Sequence, residues 1–135
     1  MKRIIYILFL GISLGQYAPD FDDEKAYDFL LKQCSFGPRY PGSSGHVNFK
    51  DYLINYLNKY SDNVKVFEHD IKHPYEDKNI KFYNILAQYN LESDNRILVM
   101  AHWDTREIAD KEKDIIKQKK PIIGANDGAS GIAIL

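Results

Sequence analysis

His102-Trp103-Asp104-Thr105 sets an imidazole and a carboxylate two residues apart. In an extended chain both side chains project on the same side, and a carboxylate near an imidazole can fix its tautomer and raise its basicity toward a metal. The triplet follows Arg96-Ile97-Leu98-Val99-Met100-Ala101, an apolar run with the pattern of a strand buried on both faces. The carboxyl end of such a strand is where open α/β sheets bind ligands. Standing alone, the triplet is a weak signal, since most His-x-Asp triplets are ordinary polar residues at a strand-to-loop junction.

A second segment, Gly124-Ala125-Asn126-Asp127-Gly128-Ala129-Ser130-Gly131, is built of small residues around one carboxylate. Small residues let the backbone approach a ligand or another chain segment closely. A tight turn with Asn126 or Asp127 capping a helix is one reading. A phosphate cradle is another, but Gly124, Gly128 and Gly131 do not match the dinucleotide fingerprint, and anionic Asp127 would repel phosphate. A metal suits Asp127 better.

These segments need a scaffold. Ala26, Phe29, Leu30 and Gln33-Cys34 recur at helical spacing behind Asp22, Asp23 and Glu24, which predicts a helix over Asp22 to Cys34. Two prolines and three glycines between Phe36 and His46 predict an ordered loop or a linker. Phe49, Tyr52-Leu53, Tyr56-Leu57 and Tyr60 form an apolar stripe, predicting a second helix from about Val47 to Tyr60 with Ser44 as its cap. The period then changes to two: Val64 to Lys72 and Ile80 to Tyr89 are expected to pair as antiparallel strands. Arg96 to Ala101 is expected to be a central strand of an α/β sheet, and the Lys-rich stretch from Lys111 to Lys120 a solvated loop or short helix. No internal repeat is present.

The whole sequence has 135 residues, 18 basic against 19 acidic, and 17 Phe and Tyr, enough apolar material for one packed domain or part of one. A net charge of -1 supplies no electrostatic footprint for nucleic acid, and a single cysteine cannot make an internal disulfide or a cysteine-based zinc site. Cys34 is expected to be a small core residue, with nothing adjacent in sequence to stabilise a thiolate. His46, His69 and His73 are expected to be structural or surface residues.

Met1-Lys2-Arg3, an apolar run from Ile4 to Leu14, and Ser13 and Gly15 at its exit have the layout of a secretory signal peptide over residues 1–15, with cleavage before Gln16. Its removal leaves 16 basic and 19 acidic residues, a net charge of -3. The expectation is a secreted or periplasmic protein with no stable membrane insertion after cleavage. At the other end, Gly131 to Leu135 lacks the usual helix stop signals, so the sequence is expected to end inside an element, as the N-terminal portion of a longer domain.

Taken in order, His102-Trp103-Asp104-Thr105-Arg106, then Ala109-Asp110, then Gly124-Ala125-Asn126-Asp127-Gly128 resemble the zinc aminopeptidase and glutaminyl cyclase superfamily. Gly37-Pro38-Arg39 and Pro41-Gly42-Ser43 look like that family's N-terminal segment. The resemblance implies a three-layer αβα sandwich with a mixed, mostly parallel central sheet, present here in part. It implies His102 and Asp127 as zinc ligands, with Asp104 orienting His102. It also implies one zinc in the cyclases, where the His102 position need not be a ligand, or two in the aminopeptidases, where Asp127 bridges.

The substrates it implies are peptide or protein N-termini. Trp103, Thr105, Arg106 and Gly128 look more like secreted bacterial glutaminyl cyclases, whereas many dizinc aminopeptidases have an acidic residue where Gly128 stands. The expected activity is therefore cyclisation of N-terminal Gln with release of ammonia. A dizinc aminopeptidase and a non-catalytic binding module on the same scaffold are the alternatives. Glu107 departs from the cyclase-like pattern, which has proline there, so the loop after the first motif is expected to be shaped differently. The family's Glu-Glu pair, further Asp and last His are expected beyond Leu135, and the 135 residues by themselves are expected to be inactive. If cleavage falls before Gln16, the protein's own N-terminus becomes a substrate for cyclisation.

Overall fold

The computed structural model describes residues 20–135. The expected signal segment 1–15 and the cleavage point before Gln16 lie outside the described residues.

Helix α1 spans Asp23–Cys34, and its start follows from chemistry: the Asp22 side chain accepts from Lys25 N at 2.9 Å, with Asp23 and Glu24 in the first turn and Lys32 in the last. Helix α2 spans Ser44–Leu57, three residues earlier at both ends than the stripe suggests. Its cap is Ser43, whose Oγ accepts from His46 N at 3.1 Å, and not Ser44. Gly45 is the reason the helix can begin inside the glycine-rich loop, since a Cβ there would stand 2.3 Å from the Pro38 carbonyl oxygen.

Strands β1 (Asn63–Lys72) and β2 (Asn79–Gln88) pair antiparallel, with Val64 opposite Ala87 and Val66 opposite Ile85. Period-two patterning joined by a short polar loop makes this pairing local, and both strands lie within a residue of expectation at each end. Asn90 takes a positive φ of 50° in the turn that follows β2. Helix α3 (Ile115–Gln118) is one exposed turn capped by Asp114, consistent with a solvated Lys-rich stretch. Helix α4 spans Ser130–Ile134.

Phe49, Leu53 and Trp103 form the buried core, with Phe29, Phe36, Tyr52, Leu57, Tyr83, Ile85 and Ile132 partly buried around it. Aromatic rings tie the layers together: Phe36 to Phe49 at 5.6 Å, and Phe49 to Trp103 at 5.8 Å between centroids. Tilted aromatic pairs of this kind add about 0.5–1.5 kcal/mol each beyond the area they bury. Helix α2 packs against β2, while α1 packs against α4 and the turn before it.

The described elements are α/β, with a sheet of two antiparallel strands. The mostly parallel part of the expected sandwich is not among them. Arg96 to Ala101 differs from expectation: it pairs with neither strand, and the side chains from Arg96 to Met100 are exposed, Ile97 at 93% and Met100 at 80%. A strand is buried on both faces only where flanking strands and covering helices exist. Here the run lines an open cleft of about 1470 Å³ together with β2 and α4. Among the described residues no helix is long and apolar enough to cross a membrane.

Candidate metal centre

The chain from His102 to Thr105 alternates as an extended segment should. Trp103 and Thr105 are buried, and His102 and Asp104 face outward on the same side. Two buried anchors hold this register. Trp103 stacks on His46 of α2, with centroids 4.3 Å apart and planes within 14°. Thr105 Oγ1 accepts from the Arg39 backbone N at 2.8 Å, and Thr105 N donates back to the Arg39 carbonyl at 3.3 Å. The loop before α2 therefore runs beside the His102 segment as its floor.

The other half comes from the turn between Gly124 and α4. Gly124 adopts a left-handed φ of 64°, and a Cβ there would meet Thr105 Cγ2 at 2.5 Å. Asp127 leaves helical geometry (φ -94°, ψ 87°) and Gly128 follows at φ 112°, so the chain kinks where the carboxylate is presented. A Cβ on Gly128 would stand 2.9 Å from the Asp104 carbonyl oxygen and 3.1 Å from His102 Cε1. The turn thus lies directly against the imidazole. It is a kinked turn with no side-chain hydrogen bond from Asn126 or Asp127 capping α4.

All three residues singled out in the sequence meet. His102 Nε2 lies 3.1 Å from Asp127 Oδ1. His102 Nδ1 lies 3.2 Å from the Asp104 carbonyl oxygen and 3.4 Å from Asp104 Oδ1. With its ring proton held on Nδ1 by the Asp104 acceptors, His102 would turn the Nε2 lone pair toward the Asp127 carboxylate, the tautomer a metal ligand needs. The 3.1 Å contact is satisfied by a proton on Nε2 or by a cation held between the two groups. Bonds of about 2.0–2.2 Å from imidazole nitrogen and carboxylate oxygen to one Zn²⁺ span that distance. The donor set fits zinc.

Arg106, unassigned in the sequence reading, extends over the same carboxylate: its Nη2 is 3.8 Å from Asp127 Oδ2, while Nη1 pairs with Asp110 Oδ1. Gly128 also lacked an assigned packing role, although a glycine directly after a presented Asp is a signal of close approach. Cys34, expected in the core, is half-buried at the end of α1 and lies outside the cluster of Phe49, Leu53 and Trp103, and the tertiary fold brings the Arg39 side chain beside it.

Among the described residues, one group of three His and carboxylate ligand atoms lies within 4.8 Å: His73, Glu76 and Glu107. Its hydrogen bonds occupy those atoms. His73 Nδ1 accepts from the backbone N of Tyr75 at 3.2 Å and of Glu76 at 3.0 Å, so the ring proton sits on Nε2 and is donated to Glu107 Oε2 at 2.9 Å. Glu76 pairs with Lys78 at 2.7 Å. A metal at Nε2 would force a proton onto Nδ1 against two N–H donors. The group is a tether between the β1–β2 loop and the loop after Asp104, and His73 is structural as expected. His46 is structural too, while His69 is exposed on β1.

An imidazole and a carboxylate meet here from two loops of an α/β scaffold, with a second acidic residue beside the imidazole, a donor set compatible with zinc. Residues 84–135 match Peptidase family M28. The Tannerella forsythia glutaminyl cyclase structure is 36% identical, with a TM-score of 0.80 over 85% of this chain and 39% of that one. A leucine aminopeptidase precursor from Bacteroides thetaiotaomicron is 40% identical, with a TM-score of 0.79 over 85% of this chain and 39% of that one. A Zn-dependent exopeptidase from Parabacteroides distasonis is 34% identical, with a TM-score of 0.80 over the same shares, 85% and 39%. No curated protein matches the chain. The chain belongs to the zinc-dependent exopeptidase and glutaminyl cyclase superfamily, and spans about two fifths of the length of these relatives.

Proposed function

We propose that the protein carrying this chain is a zinc-dependent glutaminyl-peptide cyclotransferase, converting N-terminal Gln of peptides and proteins to pyroglutamate with release of ammonia. The observation that supports it is the convergence of His102 Nε2 and Asp127 Oδ1 at 3.1 Å, with Gly128 beneath them where a second carboxylate has no room. In this reading Asp127 and His102 hold the ion, and the Asp104 acceptors keep the His102 proton on Nδ1. A bound zinc supplies Lewis-acid polarisation of the substrate's side-chain amide. Closure of the ring forms a bond from the substrate's α-nitrogen to its side-chain carbonyl carbon and breaks the bond to the amide nitrogen, which leaves as ammonia. The reading includes export from the cytoplasm through residues 1–15.

The second reading, a dizinc aminopeptidase, is supported by the likeness to the leucine aminopeptidase precursor at 40% identity. Zinc-loaded protein incubated with Gln-initiated and Leu-initiated peptides separates the two. Ammonia release and loss of the free α-amine from Gln peptides, with Leu peptides intact, is the expected result. Release of Leu without ammonia from Gln peptides overturns the cyclase reading.

A further inference from the structure

Arg39 has no exposed surface, although its guanidinium is charged. Burial pulls its pKa below the ordinary value, and the neighbouring Cys34 and Asp104 act in the opposite direction. Its acceptors are backbone carbonyls from three separate parts of the chain. Nε donates to Trp103 O at 3.2 Å, Nη2 to Gly124 O at 3.3 Å, and Nη1 to Gln33 O at 3.1 Å and Gly37 O at 3.3 Å. Trp103 is the residue between His102 and Asp104, and Gly124 opens the turn that presents Asp127. One rigid planar group therefore bonds to both segments that bear the half-site.

We infer that Arg39 is the positioning residue of the metal half-site, its guanidinium setting the spacing between the His102-Trp103-Asp104 segment and the Gly124-to-Asp127 turn. The metal role of that half-site rests on the proposed function; the positioning of the two segments does not. A guanidinium suits the task because its donors form a fixed fork, whereas a Lys ammonium is a point donor on a flexible stem. The Gln33 carbonyl lies in the last turn of α1, where the helix dipole favours a cation. Gln33 reinforces the same junction, since its Nε2 donates to the Ala129 carbonyl at 2.9 Å. The Gly124 carbonyl accepts from both Arg39 and Ala129 N, the latter at 3.1 Å, so losing the guanidinium loosens the turn at its first residue.

The test compares Arg39→Met and Arg39→Lys with wild type in the full-length protein that carries this chain. Amide hydrogen exchange at Thr105 and Ala129 is measured against Val66 in β1, and Co²⁺ serves as a spectroscopic probe of the half-site. Arg39→Met is expected to speed exchange at Thr105 and Ala129 at least tenfold more than at Val66, and to lower Co²⁺ affinity with an altered visible absorption. Arg39→Lys is expected to recover only part of both, and it decides the matter should Arg39→Met fail to fold. Exchange that rises equally at all three amides, or a lysine variant indistinguishable from wild type, overturns the inference. If wild type takes up no Co²⁺, the zinc reading falls, while the exchange pattern still decides the role of Arg39.

Discussion

His46 lies flat on Trp103, the residue between His102 and Asp104, with ring centroids 4.3 Å apart, so a histidine from α2 clamps the backbone of the candidate metal centre. Burial holds the His46 pKa down at about 4, with Lys50 acting in the same sense and Asp104 opposing. The stacked ring is therefore neutral near pH 7.

That burial makes stability pH-dependent with a definite sign. Between the unfolded value of about 6.5 and the folded value of about 4, the unfolded chain binds a proton that the folded chain does not. Stability is full above the upper value and is lost as pH falls toward the lower one, by an amount on the order of 3 kcal/mol. Urea midpoints measured from pH 4 to 8 should fall over that window. His46→Phe, which keeps a ring against Trp103 but cannot titrate, should flatten that part of the profile.

In the proposed zinc reading, Asp127→Ala removes a ligand of the half-site, and Asp104→Asn weakens the hold on the His102 proton. Competition against a chelator should show Zn²⁺ affinity falling by about 10–100-fold for Asp104→Asn and further for Asp127→Ala. Equal affinity in all three proteins would place zinc elsewhere.

Gly128→Ala combines a positive φ of 112° with a Cβ 2.9 Å from the Asp104 carbonyl. A cost of about 1–3 kcal/mol in unfolding free energy is expected, with Zn²⁺ affinity reduced because His102 must move. Gly37→Ala has a left-handed φ of 76° but nothing within 4 Å of the new Cβ. It serves as the control for strain without displacement of His102.

The His73–Glu107 hydrogen bond should be measurable as a coupling. A double-mutant cycle of His73→Phe and Glu107→Ala is expected to return about 1 kcal/mol, since one partner is buried and the bond is charge-assisted. A coupling near zero would mean that the tether adds nothing to the folded state.

What was legible from sequence was local. The start of α1 follows from an acidic cap and helical spacing, and the β1–β2 pairing from alternation across a short loop. The common side of His102 and Asp104 follows from the pleat of extended chain. The resemblance carried by Gly37-Pro38-Arg39, His102-Trp103-Asp104 and Gly124-Ala125-Asn126-Asp127 pointed to the superfamily that the comparisons then identified. Even the departure at Glu107 was visible, though its partner His73 was not.

What tertiary structure alone decided was contact across distance. Ser43 rather than Ser44 caps α2 because Gly45 packs under Pro38, a contact that no propensity scale records. The apolar run Ile97 to Met100 is exposed because burial belongs to the neighbours of a strand and not to its own composition. Arginine is mostly a surface residue, so nothing in the letters says that Arg39 is buried in a ring of carbonyls. The amino-acid order by itself determined which side chains could ligate a metal and which way they face along their own segments. Whether His102 and Asp127, 25 residues apart, come within 3.1 Å was settled by the packing of Trp103, Arg39 and Gly128, because the meeting of two loops is a property of the core that holds them.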